Sequence, residues 1–441
     1  MESSRGRLVA LCAVQFVDVM GVTVVVSALP RMLADLGGSL SQAGLLVPVY
    51  AVGFSSLLLL AARLGDRFGV RRVLLAGLVI FAIGSVVAAA APVMGLLVAG
   101  RGIQGAAAAI SVPNALVLLS RGSPTKTARD RALGAWNACG GLAGAAGLLV
   151  GGLTTSAVSW RAIFWGNLVA TGVLIGVLLR VIPPDRSAER TSAGFAPRSV
   201  VLQVATVGAV VAAANAVGEA WPIPVGLGLV GLVAAGLLVL GERRTASPLV
   251  PKGLWRPAFV GGLIGSFGIT ATTSSFVVVG TVYLQEDKGF GPAAAGLMIL
   301  PFSAAVVLAA AVAGRLMPRV GPRRPLILGL LLIVGGAAAA WFSPATGAFV
   351  AGLVLAGLGN GMGAVAAYAS GLAVPAEQEG SAAGLLNTAA QIGTATMVAT
   401  TVAIAGQGSG IDYRLGWLTV GLTAIVVLTS LGAATRTRLR R

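Results

Sequence analysis

The chain has 441 residues, 56% of them hydrophobic and only 10% charged, with a mean hydropathy of +0.93 and a formal net charge of +17. A water-soluble globular domain, in which roughly a quarter of residues are charged, is excluded; lipid must be the main solvent. There is no histidine, and the two cysteines, Cys12 and Cys139, lie in apolar stretches, so no disulfide framework, metal site or other cofactor is expected.

Runs of about 20 mostly apolar residues predict spans at 8–30, 43–61, 73–92, 94–120, 131–154 and 161–182. The first begins behind Arg5 and Arg7 and carries Asp18 in its middle. It is too long for the core of a signal peptide and reads as a retained helix. A stretch rich in proline, serine and charge, Pro183 to Ser199, interrupts the series. Two spans follow at 199–218 and 223–241, then a basic connector from Glu242 to Arg256. Six more come at 258–284, 292–316, 324–342, 346–373, 382–406 and 413–434. The expected fold is an all-α integral membrane protein of fourteen transmembrane helices. It comprises a six-helix bundle over 1–182, linkers and two inserted helices over 183–257, and a second six-helix bundle with a basic tail over 258–441. The 63 glycines suit such a bundle, because small residues let helices touch where lipid removes the hydrophobic drive between them.

An even number of spans puts both termini on one side. With the amino terminus in the cytoplasm, 26 of the 31 basic residues fall in cytoplasmic segments, as the positive-inside rule requires. Only Arg31, Arg161, Lys288 and Arg414 fall outside, and Arg101 lies within a span. The excess charge is thus a topology signal whose partner is anionic lipid on the cytoplasmic side of the cell membrane, not nucleic acid. A monomer is expected.

The chain also repeats itself. Ala61-Ala62-Arg63-Leu64-Gly65-Asp66-Arg67-Phe68-Gly69-Val70-Arg71-Arg72 returns 252 residues later as Ala313-Gly314-Arg315-Leu316-Met317-Pro318-Arg319-Val320-Gly321-Pro322-Arg323-Arg324, with seven of twelve positions identical. Gly134-Ala135-Trp136-Asn137 is echoed by Gly384-Leu385-Leu386-Asn387. Two related halves with substrate bound between them near the midplane is a recurrent transporter design.

At these residues the sequence resembles the major facilitator superfamily, and within it the fourteen-span drug:proton antiporters. The loop Ala61 to Arg72 is similar to the signature between spans two and three, with Asp66, Gly69 and Arg71 matching. Leu97 to Ala109 resembles the span-four motif in Arg101, Gln104 and Gly105. Phe16 to Pro30 resembles the span-one motif in Asp18 and Pro30. The span-five antiporter motif is matched at Gly147, Gly151 and Gly152, while Leu148 stands where the family usually has proline. The resemblance implies alternating access, with Asp66, Gly69 and Arg71 as a conformational latch.

Charges inside a membrane are costly and mark functional positions. Asp18 lies about 15 Å in from the cytoplasmic start of its helix and Arg101 about 10 Å in from the outer start of its own, at similar depths in a core of about 30 Å. Two readings are open: Asp18 binds a coupling proton while Arg101 tunes it, or the two form a permanent ion pair. For the loop, the alternatives are the latch and a solvated basic turn. The glycines of span five read either as helix packing or as a hinge. A weakly polar cavity between the halves is expected to draw on Gln15, Met20, Gln104, Asn114, Trp136, Asn137, Asn360, Tyr368, Asn387 and Gln391, each of which can equally serve as an interhelical contact. Such a cavity suits lipophilic or weakly charged small molecules. An intramembrane enzyme would gather nucleophile, base or metal ligands at one depth, and the sequence offers no such set. The expected function is export of drugs or lipophilic metabolites by proton antiport, or alternatively export or facilitation without protons.

Overall fold

The computed structural model describes residues 2–37, 40–122, 126–184, 197–216, 222–244, 252–343, 345–375, 378–406 and 412–436. Fourteen α-helices run through them: α1 (Glu2–Leu36), α2 (Leu40–Phe68), α3 (Val70–Ala89), α4 (Met94–Arg121), α5 (Lys126–Ala157), α6 (Trp160–Val181), α7 (Pro197–Asn215), α8 (Pro222–Arg244), α9 (Pro257–Val282), α10 (Pro292–Val320), α11 (Arg323–Phe342), α12 (Thr346–Gly371), α13 (Glu379–Ala405) and α14 (Tyr413–Arg436). One stands at each place where an apolar run predicts it. Twelve are long and apolar enough, over their described residues, to cross a membrane; Leu45–Leu58 in α2 and Val201–Ala214 in α7 are shorter apolar runs. Helices are the expected outcome, because a chain in hydrocarbon must satisfy its backbone N–H and C=O groups within each segment.

The chain divides into two compact units. The first holds Met1–Ser39, Val49–Val204 and Phe290–Leu297; the second holds Leu40–Pro48, Ala205–Gly289 and Met298–Arg441. In the first, Tyr50, Phe54, Leu74, Phe81, Trp136, Leu174 and Leu178 are part of one buried apolar core. Gln203 of α7 donates to the Ser55 carbonyl of α2 at 2.9 Å and so ties the start of the central helix pair to this unit. In the second, α9 and α13 are joined by hydroxyls at successive turns: Ser266 donates to the Leu386 carbonyl at 2.9 Å, Thr270 to that of Ala390 at 2.7 Å, and Ser274 meets Thr394 at 3.2 Å. Helix α8 exposes Leu229, Val230, Leu232, Val233 and Leu240, an apolar surface suited to lipid.

The 252-residue repeat extends far beyond the loop that reveals it. Gly69 and its counterpart Gly321 both take positive φ, 97° and 72°, a conformation that side chains disfavour, and in each unit this glycine stands before the next helix. Between α3 and α4, a Cβ on Gly77 would lie 3.0 Å from the Ala107 carbonyl, and one on Gly84 3.0 Å from that of Gly100. Between α11 and α12, Gly329 faces the Gly359 carbonyl at 2.6 Å and Gly336 that of Gly352 at 2.5 Å by the same measure. All four pairs are related by the same 252-residue step. Gly105 on α4 likewise abuts the Tyr50 carbonyl, and Gly357 on α12 abuts that of Phe302. The two halves are therefore built on the same set of backbone-to-backbone contacts, which only glycine permits.

Gly84→Val and Gly336→Val are each expected to destabilise the protein by about 1–3 kcal/mol through overpacking, read as a lower Tm of the purified protein in detergent. Gly176→Ala, whose Cβ meets nothing within 4 Å, should stay within about 0.5 kcal/mol of the parent.

Candidate functional site

Arg101 is the centre of the polar groups in the first unit. It sits on α4 with no exposed surface, on the same helical face as Gln104 and Gly105, three and four residues on. Its Nη1 donates to the Gly21 carbonyl of α1 at 3.1 Å and to Gln104 Oε1 at 2.8 Å. Gln104, also fully buried, passes its Nε2 hydrogen to Ser85 Oγ of α3 at 2.9 Å, and Ser85 in turn donates to the Phe81 carbonyl at 2.8 Å. The guanidinium thus links α1, α3 and α4. Its Nε and Nη2 groups have no hydrogen-bond partner.

The structure does not place Asp18 in an ion pair with Arg101. Tyr50 stands between them: its hydroxyl donates to Asp18 Oδ1, and its ring lies under the Arg101 guanidinium, with Cζ 4.5 Å from the ring centroid. A cation over an aromatic face is attracted by the ring quadrupole without being neutralised. Tyr50 is 1% exposed, and Gly105 makes room for its backbone. The direct pairing anticipated from matching depths is replaced by a three-residue relay of carboxylate, phenol and guanidinium. Sequence reasoning passes over Tyr50 and Ser85 because a tyrosine or serine within an apolar run is unexceptional. The 252-residue repeat carries the signal that finds them. Tyr50, Ser85, Arg101 and Gln104 correspond to Phe302, Ala337, Leu353 and Ala356, so the second unit has apolar side chains at all four, and Asp18 corresponds to the uncharged Thr270.

The remaining candidates separate into classes. Asn114 is buried and donates to the carbonyls of Ala61 at 3.2 Å and Ile110 at 2.8 Å, an interhelical tie between α4 and α2. Trp136 is part of the apolar core. Gly140 of α5 has Gln15 Nε2 beside it, while the side-chain Oε1 of Gln15 is buried without a hydrogen-bond partner. A Cβ on Gly147 would strike Thr23 and the Met20 carbonyl, and one on Gly151 would strike Val24 and Ser27, so both glycines serve the α1–α5 contact. Gly152 faces Pro292 and Ala293, at the start of α10, within the same unit. In the second unit Asn360, Asn387 and Gln391 are half-buried, and Tyr368 packs beside Leu254, Phe259, Ala382 and Leu386. Arg71 donates to the Leu179 carbonyl of α6 at 3.1 Å. The side chains of Asp66 and Asn137 lie outside the described residues. Among the described residues no group of three His, Cys, Asp or Glu side chains is placed to hold a metal ion.

A model of the Major Facilitator Superfamily matches residues 11–398 and, separately, 258–440. The puromycin resistance protein pur8 of Streptomyces alboniger is 33% identical over 415 residues, which cover 89% of this chain and 80% of that protein. The tetracenomycin C resistance and export protein of Streptomyces glaucescens is 30% identical over 412 residues, 88% of this chain and 74% of that one. The crystal structure of the peptide transporter POT in complex with sulfate has the same fold, with a TM-score of 0.73 at 15% identity, covering 98% of this chain and 94% of that one. A family match over most of the chain, two relatives at 30% identity or more and a set of membrane-length helices in two repeated halves lead to one conclusion: this multi-pass membrane protein belongs to the Major Facilitator Superfamily of transporters.

Proposed function

We propose that the protein exports antibiotics or similar lipophilic small molecules from the cytoplasm in exchange for protons, by alternating access, and that Asp18 carries the proton. The observation that carries the proton assignment is the relay itself. One half-buried carboxylate accepts from a neutral phenol whose ring also faces a fully buried cation, and the two charges form no direct ion pair. A permanent ion pair would hold Asp18 ionised; an acid held by a neutral donor is free to change state. With no histidine in the chain, a carboxyl is the available carrier. The resistance and export proteins among the relatives support antibiotics as the cargo. All fourteen helices cross the membrane in this reading, with both termini in the cytoplasm, the basic segments facing anionic lipid, and Asp66, Gly69 and Arg71 acting as the latch. Export without proton coupling is the second reading. Leu148 favours it, standing where antiporters of the family usually carry proline.

Inverted membrane vesicles given an imposed pH gradient should accumulate one or more compounds of a panel that includes puromycin and tetracenomycin C. Asp18→Asn should reduce that accumulation to the level of vesicles without the protein while expression is unchanged. Gradient-driven uptake by Asp18→Asn would refute the assignment, and gradient-independent uptake by the parent would favour the second reading.

The topology is tested in intact cells with Cys12 and Cys139 replaced by serine. A cysteine introduced at Ser187 should resist a membrane-impermeant maleimide, and one introduced at Asp287 should react. Labelling at position 187 would reverse the orientation.

A further inference from the structure

Proton exchange at Asp18 requires that this carboxylate be stabilised when ionised yet free to be neutralised. From the contacts around Tyr50 we infer that this tyrosine is the positioning residue that makes Asp18 a reversible proton carrier, its hydroxyl holding the ionised carboxylate while its ring faces Arg101. The inference rests on the assignment of Asp18 as the proton site.

Four observations carry it. The hydroxyl donates to Asp18 Oδ1, and a hydrogen bond to an ionised acceptor is markedly stronger than one to a neutral carboxyl. Protonation therefore weakens a single bond, whereas a direct contact with Arg101 would make protonation strand a buried cation, a strongly unfavourable change. The ring lies under the guanidinium, with Cζ 4.5 Å from the ring centroid, so one side chain contacts both the carboxylate and the cation. Backbone contacts fix the tyrosine in place: a Cβ on Gly105 would land on the Tyr50 carbonyl, and one on Gly53 would lie 2.7 Å from the Gly102 carbonyl, so α2 meets α4 without intervening side chains.

The fourth observation is internal to the chain. Phe302 occupies the Tyr50 position in the second unit, against Gly357 as Tyr50 lies against Gly105, with Leu353 where the first unit has Arg101. In both units that contact is made by the backbone carbonyl and needs no hydroxyl. The hydroxyl appears only in the unit that also has the carboxylate and the guanidinium, which assigns it to their chemistry rather than to helix packing.

The ionisable groups around the relay are few. Asp18 faces Tyr50 and Arg101, and each of those faces the other two. From α5, Cys139 faces Cys12 on α1. A titration at Asp18 thus has Tyr50 and Arg101 as its neighbours.

Infrared difference spectroscopy of the full-length protein reconstituted in lipid, titrated over pH, reads the carboxyl directly and needs no substrate. The Asp18 carboxyl C=O band is the one absent from Asp18→Asn. In Tyr50→Phe its midpoint is expected to be displaced by about one pH unit or more, the scale on which a hydrogen bond to a charged group acts. Gel-filtration profile and Tm should be retained, as the Phe302 site leads one to expect. An unmoved midpoint in folded Tyr50→Phe overturns the inference while leaving Asp18 as the carrier. The absence of any band that Asp18→Asn removes refutes the proton assignment itself. A second measurement does not depend on the folding of Tyr50→Phe. In the parent protein a tyrosine C–O band should shift with the same midpoint as the Asp18 band, and this shift should be missing in Asp18→Asn. Tyrosine bands that stay constant through the parent's titration overturn the inference as well.

Discussion

A guanidinium with no exposed surface, on a mostly apolar helix, is the constraint around which the polar part of the first unit is arranged. Transfer of a cation from water into such surroundings is costly unless its donors are met. Arg101 meets this only in part, with a carbonyl from α1, an amide from its own helix and an aromatic face from α2, while its Nε and Nη2 stay without hydrogen-bond partners. None of the three neutralises it. The nearest countercharge, Asp18, is held one tyrosine away. The charge is faced by dipoles rather than closed into a salt bridge, and it is this arrangement that the proposed proton exchange at Asp18 relies on.

The glycine frame does not exist for the sake of that charge. Gly77, Gly84, Gly100 and Gly105 recur as Gly329, Gly336, Gly352 and Gly357, with the same carbonyls opposite, in a unit where leucine replaces the arginine. Helices that gain little from burying apolar surface in lipid are held by close packing, and both halves need that equally. The chemistry is a set of substitutions on a shared scaffold: a hydroxyl, an amide, a serine and a cation present in one half and absent from the other.

The division between what was legible in the sequence and what was not follows from this. Helix positions were legible because a lipid-soluble span has a fixed length and an apolar composition. Asp18 and Arg101 were legible because an ionised group in such a span has no neutral explanation. Asn114 and Trp136 illustrate the opposite case. Assigned to a cavity on polarity and size, they turn out to bind backbone carbonyls and to fill the apolar core, since a polar or aromatic group in lipid first satisfies its neighbours. Tyr50 escaped notice for the same reason. Its importance lies in what stands on either side of it, and those partners come from helices far apart in the chain. The central pair, α7 and α8, also shows little in sequence beyond its apolarity, and a single buried glutamine, Gln203, is the tie to α2 that the structure adds.

The two units also differ in how their first helices are held. Helix α1 lies against α5 where Gly147 and Gly151 face Thr23 and Ser27, a contact made by shape. Its counterpart α9 is joined to α13 by hydroxyls at three successive turns. Interhelical hydrogen bonds of this kind contribute on average about 0.6 kcal/mol each in membranes, so the ladder adds a modest directional constraint that a glycine contact lacks. Helix α1 is tied elsewhere, by the Tyr50 hydroxyl at Asp18 and by Arg101 at the Gly21 carbonyl. Asp18 is on α1 and not on α9. In the proposed mechanism a change of charge at Asp18 acts directly on the first of these ties, whereas the second unit carries the uncharged Thr270 at the corresponding position, bonded into its ladder.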